Sequence, residues 1–139
     1  GVFGVELFLT KKGDVLLNEV APRVHNSGHH TIEACQTSQF EQVVRVLLNL
    51  PLGSTHQYFP AAIINLLGEK GYKGKPIYEN LEKVLEIENV YVHIYGKKET
   101  FPYRKMGHIT ILASDKKQLL EKIKFIKDLI KVKGETKIW

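Results

Sequence analysis

Two strand-like segments joined by a short polar turn open the chain. Residues 2–10 and 15–20 are rich in Val, Leu and Phe, and Lys11–Asp14 separates them with a glycine near its end. A turn this short joins neighbouring strands only in antiparallel fashion. We therefore expect a β-hairpin, in which each side chain of the first strand has a definite neighbour on the second.

The hairpin carries one glutamate on each strand. If Lys12-Gly13 is the tip, Glu6 faces Glu19 directly, with Cβ atoms about 4.5–5.5 Å apart, and like charges at that spacing destabilise a sheet. A divalent cation would convert this repulsion into a site, because Mg²⁺ prefers carboxylates combined with substrate phosphates. Asn18 beside Glu19 could add an oxygen or orient a ligand. The alternative that both glutamates simply face solvent stays open. Four apolar residues, however, are predicted on the same face of the hairpin as the glutamates: Val2, Phe8, Val15 and Leu17.

The loop after the second strand concentrates polar side chains. Six of them fall between positions 23 and 30: Arg23, His25, Asn26, Ser27, His29 and His30. Arginine offers a planar fork of donors that suits carboxylate, bicarbonate or phosphate, and the start of a following helix also favours anions. A zinc site is the competing hypothesis, but the three histidines lack a Cys or His partner at structural-zinc spacing. The loop therefore predicts an anion site, with His29 and His30 as ordinary surface or capping residues.

The remaining chain predicts further helices and strands. Ser38 caps a helix that Pro51-Leu52-Gly53 ends, and the character of the sequence changes after about residue 55. Strands are predicted at 61–67, 90–95 and 107–112, a flexible turn at 70–75 and one or two helical turns at 79–86. Ser114 or Asp115 caps a final helix with apolar residues at helical spacing. A basic cluster lies at strand ends next to glycines: Lys97, Lys98, Arg104 and Lys105. Such a cluster can bind phosphate, although a solvated basic turn explains it equally.

Composition excludes several other classes of protein. The chain has 139 residues and a net charge of +5, which permits an anionic partner without identifying it. No apolar run approaches the roughly 20 residues that span a bilayer, and the single cysteine, Cys35, fits a reducing cytoplasm and is interpreted as a buried structural thiol. A nucleic-acid-binding module would instead show a steep loss of affinity with salt and no dependence on Glu6 or Glu19. Because the first residues already form a predicted strand, we expect a fragment of a longer protein.

Several runs together resemble one known enzyme family. Gly4–Phe8 and Leu17–Arg23 are similar to the end of an ATP-grasp domain, and Val24–His29 with Thr31–Gln42 resembles 5-(carboxyamino)imidazole ribonucleotide synthase in particular. Leu50–Gly53 is similar to the next segment of that family, and Tyr95–Lys97 with Arg104–His108 resembles its small C-terminal domain. The strong resemblance covers about the first 53 residues. It implies an α+β fold: the C-terminal portion of an ATP-grasp domain, an antiparallel sheet with helices, at 1–55, then a small β-rich C-terminal domain with a terminal helix at 56–139.

The resemblance also implies a reaction in purine biosynthesis. ATP, bicarbonate and 5-aminoimidazole ribonucleotide would give the carboxyamino product, ADP and phosphate. Glu6 and Glu19 would hold Mg²⁺ on the ATP phosphates, with Asn18 and Glu19 contacting the cofactor. Three further groups follow by position: Arg23 and His25 at the bicarbonate, Asn26 and Ser27 on the ribonucleotide, and Lys97, Arg104 and Lys105 on its phosphate. The family implies a homodimer for the full-length protein, with no nucleic-acid or membrane partner.

The resemblance has one nearby alternative and two departures from the family's pattern. A sister ATP-grasp enzyme, the formate-dependent glycinamide ribonucleotide transformylase, is the nearest alternative, but it carries a different run from His25–His29 after Pro-Arg. Tyr103 precedes Arg104 where the family often has glycine, which weakens the phosphate assignment there. The phosphate-covering loop and the adenine-contacting residues of an ATP-grasp enzyme do not occur in the 139 residues. We therefore expect the chain alone to be inactive.

Overall fold

The computed structural model describes residues 1–138 and shows two compact units, unit 1 at Gly1–Tyr58 and unit 2 at Phe59–Trp139. Each contains antiparallel strands and helices, so the predicted α+β class is confirmed. The assignment of 1–55 and 56–139 to two domains stays a prediction.

Unit 1 is a hairpin followed by a turn and two helices. Its elements are β1 (Gly4–Leu9), β2 (Val15–Ala21), a 3-10 turn (Asn26–Gly28), α1 (Thr31–Ala34) and α2 (Gln39–Leu47). Ser38 caps α2, because its side chain accepts a hydrogen bond from the Glu41 N–H at 3.1 Å, as the sequence predicts. The loop that contains the polar cluster therefore lies between the end of β2 and the start of α1, and the capped helix α2 follows.

The hairpin of unit 1 leaves most of its apolar side chains in solvent. Leu7 and Leu17 are 57% and 63% exposed. Among residues 1–58, all of which the structure describes, the buried apolar side chains are Ala21 and Ala34. The unit therefore removes little apolar surface from water with its own residues.

Unit 2 contains two sheets and two helices. Its elements are β3 (Ala61–Leu67), β4 (Tyr72–Glu79), α3 (Leu81–Leu85), β5 (Val90–Ile94), β6 (Lys105–Leu112), α4 (Lys116–Leu129) and β7 (Lys131–Lys137). The first sheet has the order β3-β6-β5 and the second pairs β4 with β7, all antiparallel. α4 packs against β3 and β6.

The core of unit 2 lies between the central strand β6 and α4. Met106, Ile109, Ile111 and Ile126 are fully buried, and further apolar residues of β3, β5, α3 and β7 pack around them. Every residue of β6 after Lys105 is buried, which is typical of a central strand covered on both faces. This strand fixes the position of the loops that precede and follow it.

Two local predictions were wrong, at residues 70–75 and at Cys35, and one confirmed element is followed by a strand that was not predicted. The lysine- and glycine-rich stretch at 70–75 is a turn only at its start, because β4 begins at Tyr72 and Gly74, with a φ of +100°, marks an irregularity in the strand. The predicted final helix is present, capped by Asp115, but β7 follows it and buries Val132. Cys35 is only partly buried, and this burial raises the pKa of its thiol.

Within residues 1–138, none of the helices combines the length and the apolar character that crossing a membrane would demand.

Candidate functional site

The hairpin register brings Glu6 and Glu19 together by a route that differs from the predicted one. Near the turn, Leu9 pairs with Val15 and Leu7 with Leu17, so the tip is centred on Lys12 and the predicted Lys12-Gly13 tip was wrong. The register then shifts between Glu6 and Leu7, and Glu6 pairs with Glu19. The extra residue in β2 is Asn18, so a β-bulge restores the predicted pairing.

The bulge places Asn18 and Glu19 on the same side as Glu6, although neighbours in a regular strand point to opposite faces. The Asn18 side-chain amide donates to Glu6 Oε2 at 3.1 Å. Glu6 Oε1 lies 3.3 Å from His25 Nδ1, and Glu19 Oε1 lies 3.2 Å from His25 Nε2. The imidazole therefore lies between the two carboxylates.

These three side chains form a set that can hold a cation. One ligand atom from each of Glu6, Glu19 and His25 lies within 4.8 Å of the others. The His25 side chain is 15% exposed, and the two glutamates are 37% and 55% exposed. The site is thus closed by the histidine on one side and open at Glu19.

A glycine in β1 gives His25 its place. A Cβ at Gly4 would lie 2.5 Å from the Cβ of His25, so only a residue without a side chain lets the loop lie so close to the strand. Gly4 was predicted only as part of the Gly4–Phe8 run, and this role was missed. A glycine inside an otherwise apolar strand was the available signal.

The rest of the loop is held by local hydrogen bonds. His25 begins the 3-10 turn, and its Nδ1 accepts from the Ser27 N–H at 3.4 Å and lies 2.9 Å from the Ser27 hydroxyl. Arg23 is exposed and donates to the Val24 carbonyl at 2.9 Å. The side-chain nitrogen of Asn26 is buried and has no hydrogen-bond partner among residues 1–138, so it is a donor that a bound molecule could satisfy.

The other two histidines of the loop have structural contacts. His30 Nδ1 lies 3.0 Å from the Ser27 carbonyl oxygen, and His29 stacks on Phe40 at 5.5 Å between ring centroids. Both lie outside the Glu6, Glu19 and His25 set. The structure therefore gives no support to a zinc site built from the three histidines of the loop.

The predicted phosphate residues lie together in unit 2. Lys97 Nζ donates to the Lys105 carbonyl at 2.5 Å, and Arg104 Nη1 donates to the Glu99 carbonyl at 3.0 Å. The Arg104 guanidinium lies 4.9 Å from the ring centroid of Phe101. Lys97 and Arg104 thus lie in one short segment before β6, and Lys105 is the first residue of that strand.

Tyr103 in this segment has a φ of +66°. Such a left-handed backbone is costly for a residue with a side chain and free of strain for glycine. The left-handed backbone therefore explains why glycine suits position 103, where this chain has tyrosine.

Two family models match the chain in its two parts. Residues 1–40 match the ATP-grasp domain, and residues 61–122 match the phosphoribosylaminoimidazole carboxylase C-terminal domain. Over most of its length the chain is similar to N5-carboxyaminoimidazole ribonucleotide synthases. The first match contains the glutamates and the histidine of the candidate site, and the second contains the basic segment before β6.

Relatives of this family agree with the chain in sequence and fold. A chloroplastic phosphoribosylaminoimidazole carboxylase from Vigna aconitifolia is 54% identical over 117 residues, which are 82% of this chain and 21% of that protein. The crystal structure of the N5-carboxyaminoimidazole ribonucleotide synthetase from Thermotoga maritima is 59% identical, with a TM-score of 0.91 over 96% of this chain and 37% of that one.

A third relative was crystallised with ligands. The N5-carboxyaminoimidazole synthase from Aspergillus clavatus, in complex with ADP and 5-aminoimidazole ribonucleotide, is 36% identical, with a TM-score of 0.80 over 92% of this chain and 34% of that one. The chain thus spans roughly a fifth to two fifths of the length of these relatives.

Proposed function

We propose that the chain supplies the metal-binding carboxylates and the substrate-anion residues of an ATP-dependent ligase of purine biosynthesis. The proposed reaction joins bicarbonate to the amine of 5-aminoimidazole ribonucleotide and releases ADP and phosphate. The observation that carries it is the approach of Glu6, Glu19 and His25 within 4.8 Å. The names of the relatives and the ADP and ribonucleotide in the Aspergillus complex support the same reaction.

The chemistry of the donors divides the site between a metal and the substrate. Carboxylate oxygens suit Mg²⁺, whereas an imidazole nitrogen is a ligand for transition metals. Glu6 and Glu19 are therefore the residues that would hold Mg²⁺, and the Asn18 amide orients the Glu6 carboxylate. When bound, the ion would neutralise charge on the ATP phosphates.

His25 and Arg23 are then available to the bicarbonate. In the proposed reaction ATP phosphorylates bicarbonate to carboxyphosphate, and the amine captures its carboxyl group or the CO₂ that it releases. The Arg23 guanidinium offers donors for the carboxyl oxygens, and the His25 imidazole can donate or accept a proton at the same place. Positioned donors of this kind account for much of the catalysis in phosphoryl transfer.

Asn26 and Ser27 are assigned to the ribonucleotide, and Lys97, Arg104 and Lys105 to its phosphate. The unpartnered side-chain nitrogen of Asn26 supports the first assignment, and the contact of the Lys97 ammonium with the Lys105 carbonyl, next to Arg104, supports the second. The C-terminal domain match at 61–122 favours this reaction over that of the formate-dependent transformylase. We also assign a homodimer and a cytoplasmic location to the protein that contains the chain.

The proposal is tested by product formation from ATP, bicarbonate and 5-aminoimidazole ribonucleotide. The protein that contains this chain together with the rest of its ATP-grasp domain should form the carboxyamino product. Glu19→Gln should reduce kcat at least about a hundredfold, because a neutral amide loses the charge that attracts the metal. Glu41→Gln is the matched control, since Glu41 pairs with Arg45 on the surface of α2.

Three outcomes would contradict the proposal. The first is a wild-type protein that consumes formate in place of bicarbonate. The second is Glu19→Gln with unchanged turnover. The third, steady product from the 139 residues alone, would contradict the assignment of the chain as an incomplete enzyme.

A further inference from the structure

The side-chain amide of Gln39, the first residue of α2, holds the main chain of His25. Gln39 Oε1 accepts from the His25 N–H at 2.9 Å, and Gln39 Nε2 donates to the His25 carbonyl at 2.8 Å. One side chain thus satisfies both backbone polar groups of one residue, as a neighbouring strand would. Gln39 Nε2 also lies 2.9 Å from His29 Nδ1.

The surroundings of Gln39 fix this amide in place. Its own N–H donates to the Thr31 hydroxyl at 2.9 Å, and that hydroxyl donates to the Gly28 carbonyl at 2.6 Å. A Cβ at Gly28 would lie 2.6 Å from Gln39 Oε1, so a glycine is needed for the amide to enter the loop. The loop is therefore fastened to α2 directly at His25 and, through the Thr31 hydroxyl, at Gly28.

The residue that Gln39 holds is the one between the two carboxylates. His25 reaches both glutamates only while its main chain stays where β1 and α2 fix it. We infer that Gln39 is a positioning residue of the site: its two hydrogen bonds to the His25 backbone aim the imidazole at Glu6 and Glu19. Its importance for turnover depends on the function proposed above, whereas its effect on the imidazole does not.

A second glutamine of α2 provides a matched control. Gln42 Nε2 donates to the Gly53 carbonyl at 2.8 Å, and Gln42 Oε1 accepts from the Gly53 N–H at 3.0 Å. It therefore makes the same pair of bonds from the same helix, but to a loop that carries none of the proposed site residues. Substitution of either glutamine removes this pair of backbone hydrogen bonds. Gln39 alone holds His25, and it also loses its contact with His29.

The experiment compares Gln39→Met with Gln42→Met in the protein that contains this chain and the rest of its ATP-grasp domain. Displacement of a reacting group by about 1 Å can cost a hundredfold in rate. Gln39→Met should therefore lower kcat for carboxylation about a hundredfold with the KM for ATP unchanged. Gln42→Met should stay within about threefold of wild type. Gln39→Glu, which keeps the acceptor for the His25 N–H, should fold and still lose most of its kcat.

A spectroscopic measurement separates this inference from the proposed function. At one fixed pH, the ¹H–¹⁵N signals of the His25 imidazole should shift in Gln39→Met and Gln39→Glu and stay in place in Gln42→Met. This holds even if the wild-type protein forms no product, a result that would contradict the proposed function alone. Unchanged His25 signals in both Gln39 variants, or equal losses of kcat in Gln39→Met and Gln42→Met, would overturn the inference.

Discussion

The two units differ in where their apolar side chains lie. Unit 2 fully buries Ile109 and Ile126 in a continuous core. Unit 1 exposes more than half of Leu7 and Leu17, and its hydrogen bonds hold a polar site. Apolar burial is the main source of stability, so the unit that carries the paired glutamates contributes little of it. Most of the apolar burial thus lies in unit 2, whereas the proposed metal site lies in unit 1.

The largest expected effect is on folding of the separate units. Residues 59–139 expressed alone should unfold cooperatively with urea, because their core is complete. Residues 1–58 alone should show no cooperative transition, since they bury few apolar groups. Circular dichroism measured against urea concentration checks both, with the whole chain as reference. A cooperative transition in residues 1–58 would break the comparison.

Truncation of a buried side chain of unit 2 should cost several kcal/mol more in the free energy of unfolding than truncation of an exposed side chain of unit 1. Ile126→Ala removes a fully buried side chain and should lower the free energy of unfolding of unit 2 by about 2–5 kcal/mol. Leu17→Ala, at 63% exposure, should cost no more than about 0.5 kcal/mol. Urea denaturation of the whole chain measures both. Equal losses would show that the hairpin is more buried than the structure indicates.

The two units should also differ in the backbone strain that they carry. The left-handed residues of unit 1 are Gly13 and Asn49, which adopt this conformation at low cost, whereas unit 2 also holds Tyr103 there. Tyr103→Gly should raise the stability of unit 2 by up to about 1 kcal/mol, after the entropic cost of glycine. Thermal unfolding measures the gain, and Tyr91→Gly in β5 is the control that should destabilise. A loss of stability in Tyr103→Gly would show that the left-handed backbone at Tyr103 is not a source of strain in unit 2.

The smallest effect concerns the two helix caps at acid pH. The Gln118 N–H donates to the Asp115 carboxylate and lowers the pKa of Asp115 below its usual value. The stabilisation is therefore complete above the pKa of an unfolded aspartate, about 3.9, and is lost as the pH falls through the lower pKa of the folded state. Asp115→Asn should make the melting temperature of unit 2 less dependent on pH below about 4. Ser38, which cannot ionise, is the control cap of unit 1, and an unchanged pH dependence in Asp115→Asn would contradict this cause.

The features that could be predicted from the sequence depend on neighbours along the chain. The hairpin follows from two apolar segments and a glycine turn, and the Glu6–Glu19 pairing follows from the hairpin. The caps of α2 and α4 follow from residue types at fixed spacing. The predicted Lys12-Gly13 tip was wrong, yet Glu6 still pairs with Glu19. The turn centred on Lys12 shifts the strand register by one residue, and the bulge at Asn18 shifts it back.

The features that escaped prediction depend on distant contacts. β4 and β7 pair residues about sixty positions apart, such as Tyr72 with Lys137, and their lysines conceal the alternation that marks a strand. The role of Gln39 is similarly hidden, because its partner lies in another element and no periodicity identifies a side-chain amide. Tertiary pairing overrides weak local preference in both cases.

The bulge at Asn18 has a further consequence for an exposed apolar hairpin. β1 and β2 form a two-stranded sheet within residues 1–138, so each is an edge strand, the kind to which a strand of another molecule could add. A regular, flat edge would invite this association and the formation of fibrils. Asn18 interrupts the ladder, and a bulge increases the local twist, so we expect the residue that serves the glutamates also to disfavour aggregation of the hairpin.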